Sequence, residues 1–251
     1  MVIGNAVRGR RFAPYHPLDR TFFLFYLLLI WAAILGGFGL DMLHEAKRGG
    51  LHYPLIVHVH ALAFLGWLTL FSVQILLIRR GSIRLHRRLG VLALLLLPAM
   101  IVLGPATAIV MDATRYGPGN TSFPFMSTQF TNVLASSVLI FAGLWWRKSA
   151  SAHKRLMLMG TLALTEPGLS RIYAGWLYDR LGEGFGPYLV ETYIGGFVLM
   201  LGVGLYDLAT RGRLHPAYVA AFGWCVANEL AAAWLYYQPW WANFTRHLIG
   251  H

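Results

Sequence analysis

Charge is scarce in this sequence, and acidic charge is scarcest. Of 251 residues 12% are charged, with 10 Asp and Glu against 21 Lys and Arg. Soluble domains carry roughly 25% charged residues, so a soluble globular domain is excluded, and with 57% hydrophobic residues so is a disordered chain. Cysteine is almost missing: Cys225 stands alone, which excludes an intramolecular disulfide and a disulfide scaffold. The sequence has no glycine-rich phosphate loop, no H-E-x-x-H and no C-x-x-C. No lysine occupies the last apolar run as a retinal attachment point, so the helix count does not argue for a rhodopsin.

What fills the chain instead is apolar sequence, with a mean hydropathy of +0.55. A bilayer core asks for about 20 apolar residues per helix. Seven stretches meet that requirement, near 21–40, 54–78, 90–111, 131–146, 156–178, 189–207 and 216–236. The fourth is short and the fifth and seventh carry polar residues, so six is the alternative count. The pattern predicts an all-α, polytopic transmembrane bundle of about seven helices with a four-helix core from spans 2–5, forming one domain over 1–251. The first span has no convincing small-residue cleavage site and reads as an uncleaved helix. The tail over 237–251, rich in Trp at its start, is expected to lie in the interface.

Basic residues sort to one side. Arg8, Arg10, Arg11 and Arg20, then Arg79, Arg80, Arg84, Arg87 and Arg88, then Arg147, Lys148, Lys154 and Arg155, and finally Arg211 and Arg213 all fall on the same side of the alternating spans. The positive-inside rule puts that side, and the N-terminus, in the cytoplasm and the C-terminus in the periplasm of a bacterial inner membrane. The +11 charge is thereby explained as topogenic, with the lipid bilayer as partner and no nucleic acid.

Ionisable residues inside spans cost about 2.5–3.5 kcal/mol on insertion scales and mark functional positions. His58, His60, Glu166, Arg171, Glu191 and Glu229 are such residues, most of them on the outer half. Two readings stand: buried ion pairs of Arg171 with a glutamate, or an outward-opening polar cavity that takes a metal, haem, ion or small molecule. His58 and His60 are the expected metal ligands, although they sit about 200° apart on a helix. Glu166, Arg171 and Glu229 are the expected catalytic or proton-handling groups. His60, Trp67 and Gln74 recur every seventh residue and share a stripe facing the bundle. Pro167 disturbs the helix near residue 163, as tolerated where a span lines a cavity.

The third and fifth spans open alike, Leu85-His86-Arg87-Arg88-Leu89 and Ala152-His153-Lys154-Arg155-Leu156, which suggests duplicated hairpins. Histidines paired from two helices hold haem iron in membrane cytochromes, so His86 and His153, with Trp67 and Gln74, are the expected cofactor-binding set. Interfacial or capping roles compete with that reading, because both histidines lie at basic helix ends.

Taken together, His58-x-His60-Ala, His86-Arg-Arg-Leu-Gly90, His153-Lys-Arg-Leu-Met157, Tyr206-Asp207-Leu208 and His215-Pro216-Ala217 resemble a family of uncharacterised bacterial multi-pass inner-membrane proteins, over about residues 14–220. More distantly the pattern is similar to the four-helix core of ferric-reductase-like membrane cytochromes. Where those cytochromes carry ligands further along the third span, this sequence has Leu97, Pro98, Ala99 and Met100. The resemblance implies a membrane helical core and no substrate. Three functions are therefore expected: a membrane oxidoreductase or electron-transfer protein with iron, copper, zinc or haem b in its outer half; an accessory subunit of a larger membrane complex; or a proton-coupled transporter.

Overall fold

The computed structural model describes residues 12–47, 52–115 and 123–250. Arg8, Arg10 and Arg11 of the basic set lie outside them. The described chain is all-helical, without strands: α1 (Asp19–Lys47), α2 (Leu55–Arg79), α3 (Ile83–Leu89), α4 (Ala93–Arg115), α5 (Met126–Trp145), α6 (Ala150–Ala163), α7 (Glu166–Leu181), α8 (Phe185–Arg211), α9 (Pro216–Tyr236) and α10 (Pro239–Leu248). A 3₁₀ turn over Gly90–Leu92 joins α3 to α4, and Ile83–Thr114 together forms one of six helices long and apolar enough to cross a membrane. The protein is a polytopic membrane protein. Leu62, Leu94, Leu95, Val102 and Leu205 are exposed on these helices, as lipid contact requires and water would penalise.

The expected fifth span is not one helix, and this corrects the boundary 156–178. It divides at Leu164–Thr165 into α6 and α7. Pro167 has no N–H to bond to residue 163 and its ring crowds that carbonyl. Thr161 and Thr165 occupy the same turns, their hydroxyls donating to Met157 O at 2.8 Å and Thr161 O at 2.9 Å. Such back-bonding bends helices. The two halves still traverse the thickness that α1 does. Lys154 meets Asp19 at the start of α1, Gly168 packs on Ala33, and Arg171 reaches Asp41 near its end. From Asp19 to Asp41 is about 33 Å at 1.5 Å per residue, roughly a bilayer core.

Helices α2, α4, α5 and α6 all contribute to the buried core, but α1, α8 and α9 line it as well, so it is not a separate four-helix unit. Trp67 is 1% exposed at its centre, and its Nε1 donates to Thr161 Oγ1 at 3.3 Å. Met100, Ile140, Leu158, Met159 and Leu162 fill the space around it. Lipid tails are as apolar as leucine, so close packing rather than burial holds membrane helices together. Small residues provide it: a Cβ on Gly160 would sit 2.9 Å from Ile140 Cγ1, and one on Gly143 would sit 2.7 Å from Met157 Sδ.

The contact of α7 with α1 is as tight. A Cβ on Gly168 would lie 2.7 Å from Ala33 O and 3.1 Å from Ile34 Cα, both backbone atoms that cannot yield. Gly168→Ala is expected to spread α1 from α7 at a cost of about 1–3 kcal/mol, read as a lower melting temperature in detergent. Gly175→Ala on the same helix has nothing within 4 Å of its new methyl and should raise or preserve it.

The tail forms the short helix α10. Trp241, Thr245 and Ile249 dock on the protein, with Trp241 Nε1 donating to Pro124 O at 3.0 Å. The adjacent stripe of Trp240, Phe244 and Leu248 is exposed, and Asn243, Arg246 and His247 make the polar face.

Candidate functional site at the basic helix ends

Three polar assemblies stand out in this bundle, two at the end that carries the arginine-rich loops and one at mid-thickness. The first is an ion-pair node. Arg155 of α6 grips Asp207 of α8 with two parallel bonds, Nε to Oδ2 at 2.7 Å and Nη2 to Oδ1, and its Nη1 donates to Ser151 O at 2.8 Å. Arg155 and Asp207 are 2% and 0% exposed. Beside them Asp19 accepts from Lys154 at 2.7 Å, Tyr206 at 2.6 Å and Arg211 at 2.9 Å. The segment before α1 covers the node: Ala13 O and Pro14 O accept from Arg211 and Lys154, and the Phe12 ring lies 4.6 Å from the Arg155 guanidinium. Thus α1, α6, α8 and α9 are tied at one end.

His215 belongs to this node and caps α9. Its Nδ1 accepts from Ala217 N at 3.0 Å, so the ring proton is on Nε2, which donates to Ser151 Oγ at 3.1 Å. Protonating Nδ1 would remove the cap. Burial, and then the Arg155 charge, hold His215 down at about 4. A depressed histidine leaves the structure intact above its unfolded value near 6.5 and costs stability as pH falls from there toward 4. The melting temperature is therefore expected to drop across that window, by an amount equivalent to at most about 3 kcal/mol. His215→Asn keeps a capping side chain and should flatten the drop; an unaltered drop would assign it to other groups.

The second assembly pairs the two repeated histidines. His86 of α3 and His153 of α6 face each other with ring centroids 6.2 Å apart and planes at 81°. His153 Nδ1 donates to Gly143 O at 2.7 Å, which leaves its Nε2 free; Gly143 allows this by admitting Met157 close against α5. His86 Nδ1 and both amide atoms of Gln74 are buried without hydrogen bonds, and His86 lies beside the Gln74 backbone. Trp67 supports the core deeper along the same stripe and does not share this contact. Arg84, Arg87 and Arg88 stand exposed around it on α3.

The third contains two buried glutamates, Glu166 of α7 and Glu229 of α9, 2% and 8% exposed. Gly196 of α8 makes the room, since a Cβ there would sit 2.6 Å from Glu166 Cγ.

The remaining expected residues are not gathered. His58 is exposed, while His60 turns inward against Phe64 with ring centroids 4.2 Å apart and its Nδ1 buried without a partner. The two do not face one point. Arg171 is not the partner of Glu166 or Glu229: it pairs with Asp41 at 3.6 Å and lies over Phe38. The expectation of one outer cavity lined by Arg171, the glutamates and the histidines is corrected accordingly, because Pro167 turns α7 toward α1. Glu191 sits apart from the glutamate pair, near Tyr178 and Tyr236. Among the described residues no group of three or more His, Cys, Asp and Glu converges as a metal-ligand set.

Sequence reasoning passed over Asp19, Arg155 and Asp207 as site residues. A signal was there: Asp207 interrupts an apolar run and is followed by Arg211 and the cap residue His215. No family model, curated protein or solved structure matches the chain.

Proposed function

We propose that the protein is a membrane electron-transfer protein of the bacterial inner membrane, holding haem b between His86 and His153 with the basic end in the cytoplasm. The single observation that carries this is the facing pair of imidazoles on two helices, 6.2 Å apart between centroids and nearly perpendicular. His86 and His153 would hold the haem iron through one ring nitrogen from each helix. Among the described residues two side-chain ligands meet here, so a bare zinc or copper ion would lack most of its usual coordination, whereas a porphyrin would bring nitrogens of its own. Haem b held there would supply reversible one-electron exchange.

The chain's residues do the holding. The Gly143 carbonyl fixes the tautomer and orientation of His153, as outer-shell acceptors do for ligating histidines. The orphaned amide of Gln74 offers a donor and an acceptor beside His86. Arg84, Arg87 and Arg88 can pair with carboxylates at the surface, and the same arginines set the orientation by the positive-inside rule. In this reading the cofactor site lies at the basic end rather than in the outer half. The test is an absorption spectrum and iron analysis of protein purified in detergent from haem-replete cells. A b-type Soret band with near-stoichiometric iron is expected. Colourless, iron-free protein overturns the reading.

A further inference from the structure

Acidic residues are absent from two long stretches of this chain: no Asp or Glu occurs between Glu45 and Asp112, or between Asp112 and Glu166. Those stretches hold both arginine-rich loops. The two carboxylates at that end, Asp19 and Asp207, are already paired with Lys154, Arg211 and Arg155. Among the described residues Arg84, Arg87 and Arg88 of α3 therefore have no carboxylate partner, and all three are exposed. A guanidinium can take a phosphate with two parallel bonds.

Their spacing puts them on one face. At about 100° per residue, Arg84, Arg87 and Arg88 fall within an arc of about 100°, and His86 leaves the helix about 150° from its middle. That is the side on which the His86 ring meets His153, 6.2 Å away. Arg147 and Lys148 are exposed in the turn before α6. There Ser149 N donates to Trp146 O at 2.9 Å and His153 N to Ser149 O at 2.8 Å, which joins the turn directly to His153. Two basic loops thus flank one histidine contact.

Their level in the membrane follows from length. Ile83–Thr114 has 32 residues, about 48 Å at 1.5 Å per residue, against about 30 Å of hydrocarbon. Its charged first turns stand outside the hydrocarbon, among the headgroups. Trp145 and Trp146 are exposed beside them, and such rings prefer that layer. Leu92, Leu94 and Leu95 are exposed in the turns that follow α3. This rim of tryptophan and leucine favours a lipid over a water-soluble protein as the occupant.

We propose that the arginine face of α3, with Arg147 and Lys148 beside it, binds the phosphate of an anionic phospholipid in the leaflet on this side. α3 buries none of its own residues. It is joined to its neighbours through Gly81, at φ +74°, and the 3₁₀ turn Gly90–Leu92, so packing contributes little to its position. A lipid phosphate held across the arginines fixes the helix from outside, and with it the His86 ring opposite His153. The site does not rest on the haem reading.

The experiment is native mass spectrometry of the full chain, haem-free so that the carboxylates of a bound haem do not compete, released from micelles with equal amounts of phosphatidylglycerol and phosphatidylcholine. Phosphatidylglycerol should be retained in preference by about fivefold or more, since one basic residue near an anionic surface is worth about that factor. The triple variant Arg84→Gln, Arg87→Gln and Arg88→Gln should remove most of the preference. Arg180→Gln, exposed at the opposite end, should leave it intact. Equal retention of the two lipids overturns the proposal. A preference that survives the triple variant also overturns it, assigning the effect to the basic surface at large. Displacement of the retained lipid by millimolar inorganic phosphate overturns it in favour of a free-phosphate site.

Discussion

Asp207→Ala is expected to destabilise the protein by about 3–5 kcal/mol, the usual cost of leaving one charge of a buried pair behind. Arg155 is 2% exposed and would keep its bond to Ser151 O while losing both carboxylate contacts. The His215 backbone N–H, which donates to Asp207 Oδ2 at 3.3 Å, would be orphaned as well. The variant should insert poorly or melt far below the wild type. Removing both charges is different in kind. Arg155→Met with Asp207→Leu leaves no buried ion without its partner, since Arg211 keeps Asp19, and should recover most of the stability. If Asp207→Ala melts as the wild type does, water or lipid phosphate reaches Arg155 and the node is not a dry ion pair.

This node explains why the recognisable motifs lie where they do. His153-Lys-Arg-Leu sends Lys154 to Asp19 and Arg155 to Asp207. Tyr206-Asp207-Leu sends its tyrosine to Asp19 and its aspartate to Arg155. His215-Pro-Ala caps α9 against Ser151. The motifs share a single place in the fold. His153 precedes Lys154 on α6, so the network that aligns α1, α6, α8 and α9 also fixes where the imidazole opposite His86 stands. The structural and the proposed redox roles are coupled through α6.

The bundle was legible because a bilayer enforces one rule, a long apolar run closed on its own hydrogen bonds. Six helices among the described residues follow from it, and some extend past the apolar run: α1 reaches Lys47 and α8 begins at Phe185. Those extra turns lie where water can satisfy polar side chains, and hydropathy does not see them. Pro167 signalled the break in the fifth crossing. The redirection of α7 toward α1 depends on Gly37 and Gly168, whose closeness is a tertiary fact. For the same reason Arg171 was linked to glutamates at similar depth, when depth alone says nothing about which way a helix faces. The histidine pair was readable from the repeat, but its separation was not. Asp207 looked like part of a motif rather than half of a buried pair because its partner lies 52 residues away.

His86→Ala and His153→Ala are each expected to abolish haem binding, with no Soret band in protein that remains folded. His153 allows a sharper test. His153→Met would keep a side chain able to hold haem iron and should retain some haem at a raised reduction potential, since thioether ligation favours the reduced iron. A merely structural histidine would show no such shift. Gln74 separates the readings from the other side. Its amide is buried with both ends unpaired, so without a ligand Gln74→Leu should be neutral or stabilising, because it removes a desolvated polar group at little change in shape. If that amide contacts a bound cofactor, the same substitution should instead weaken haem binding, by about 10-fold or more, as loss of an outer-shell partner does at metal sites. Full haem content in either alanine variant sinks the assignment and returns His86 and His153 to the roles of helix-end residues at a headgroup surface.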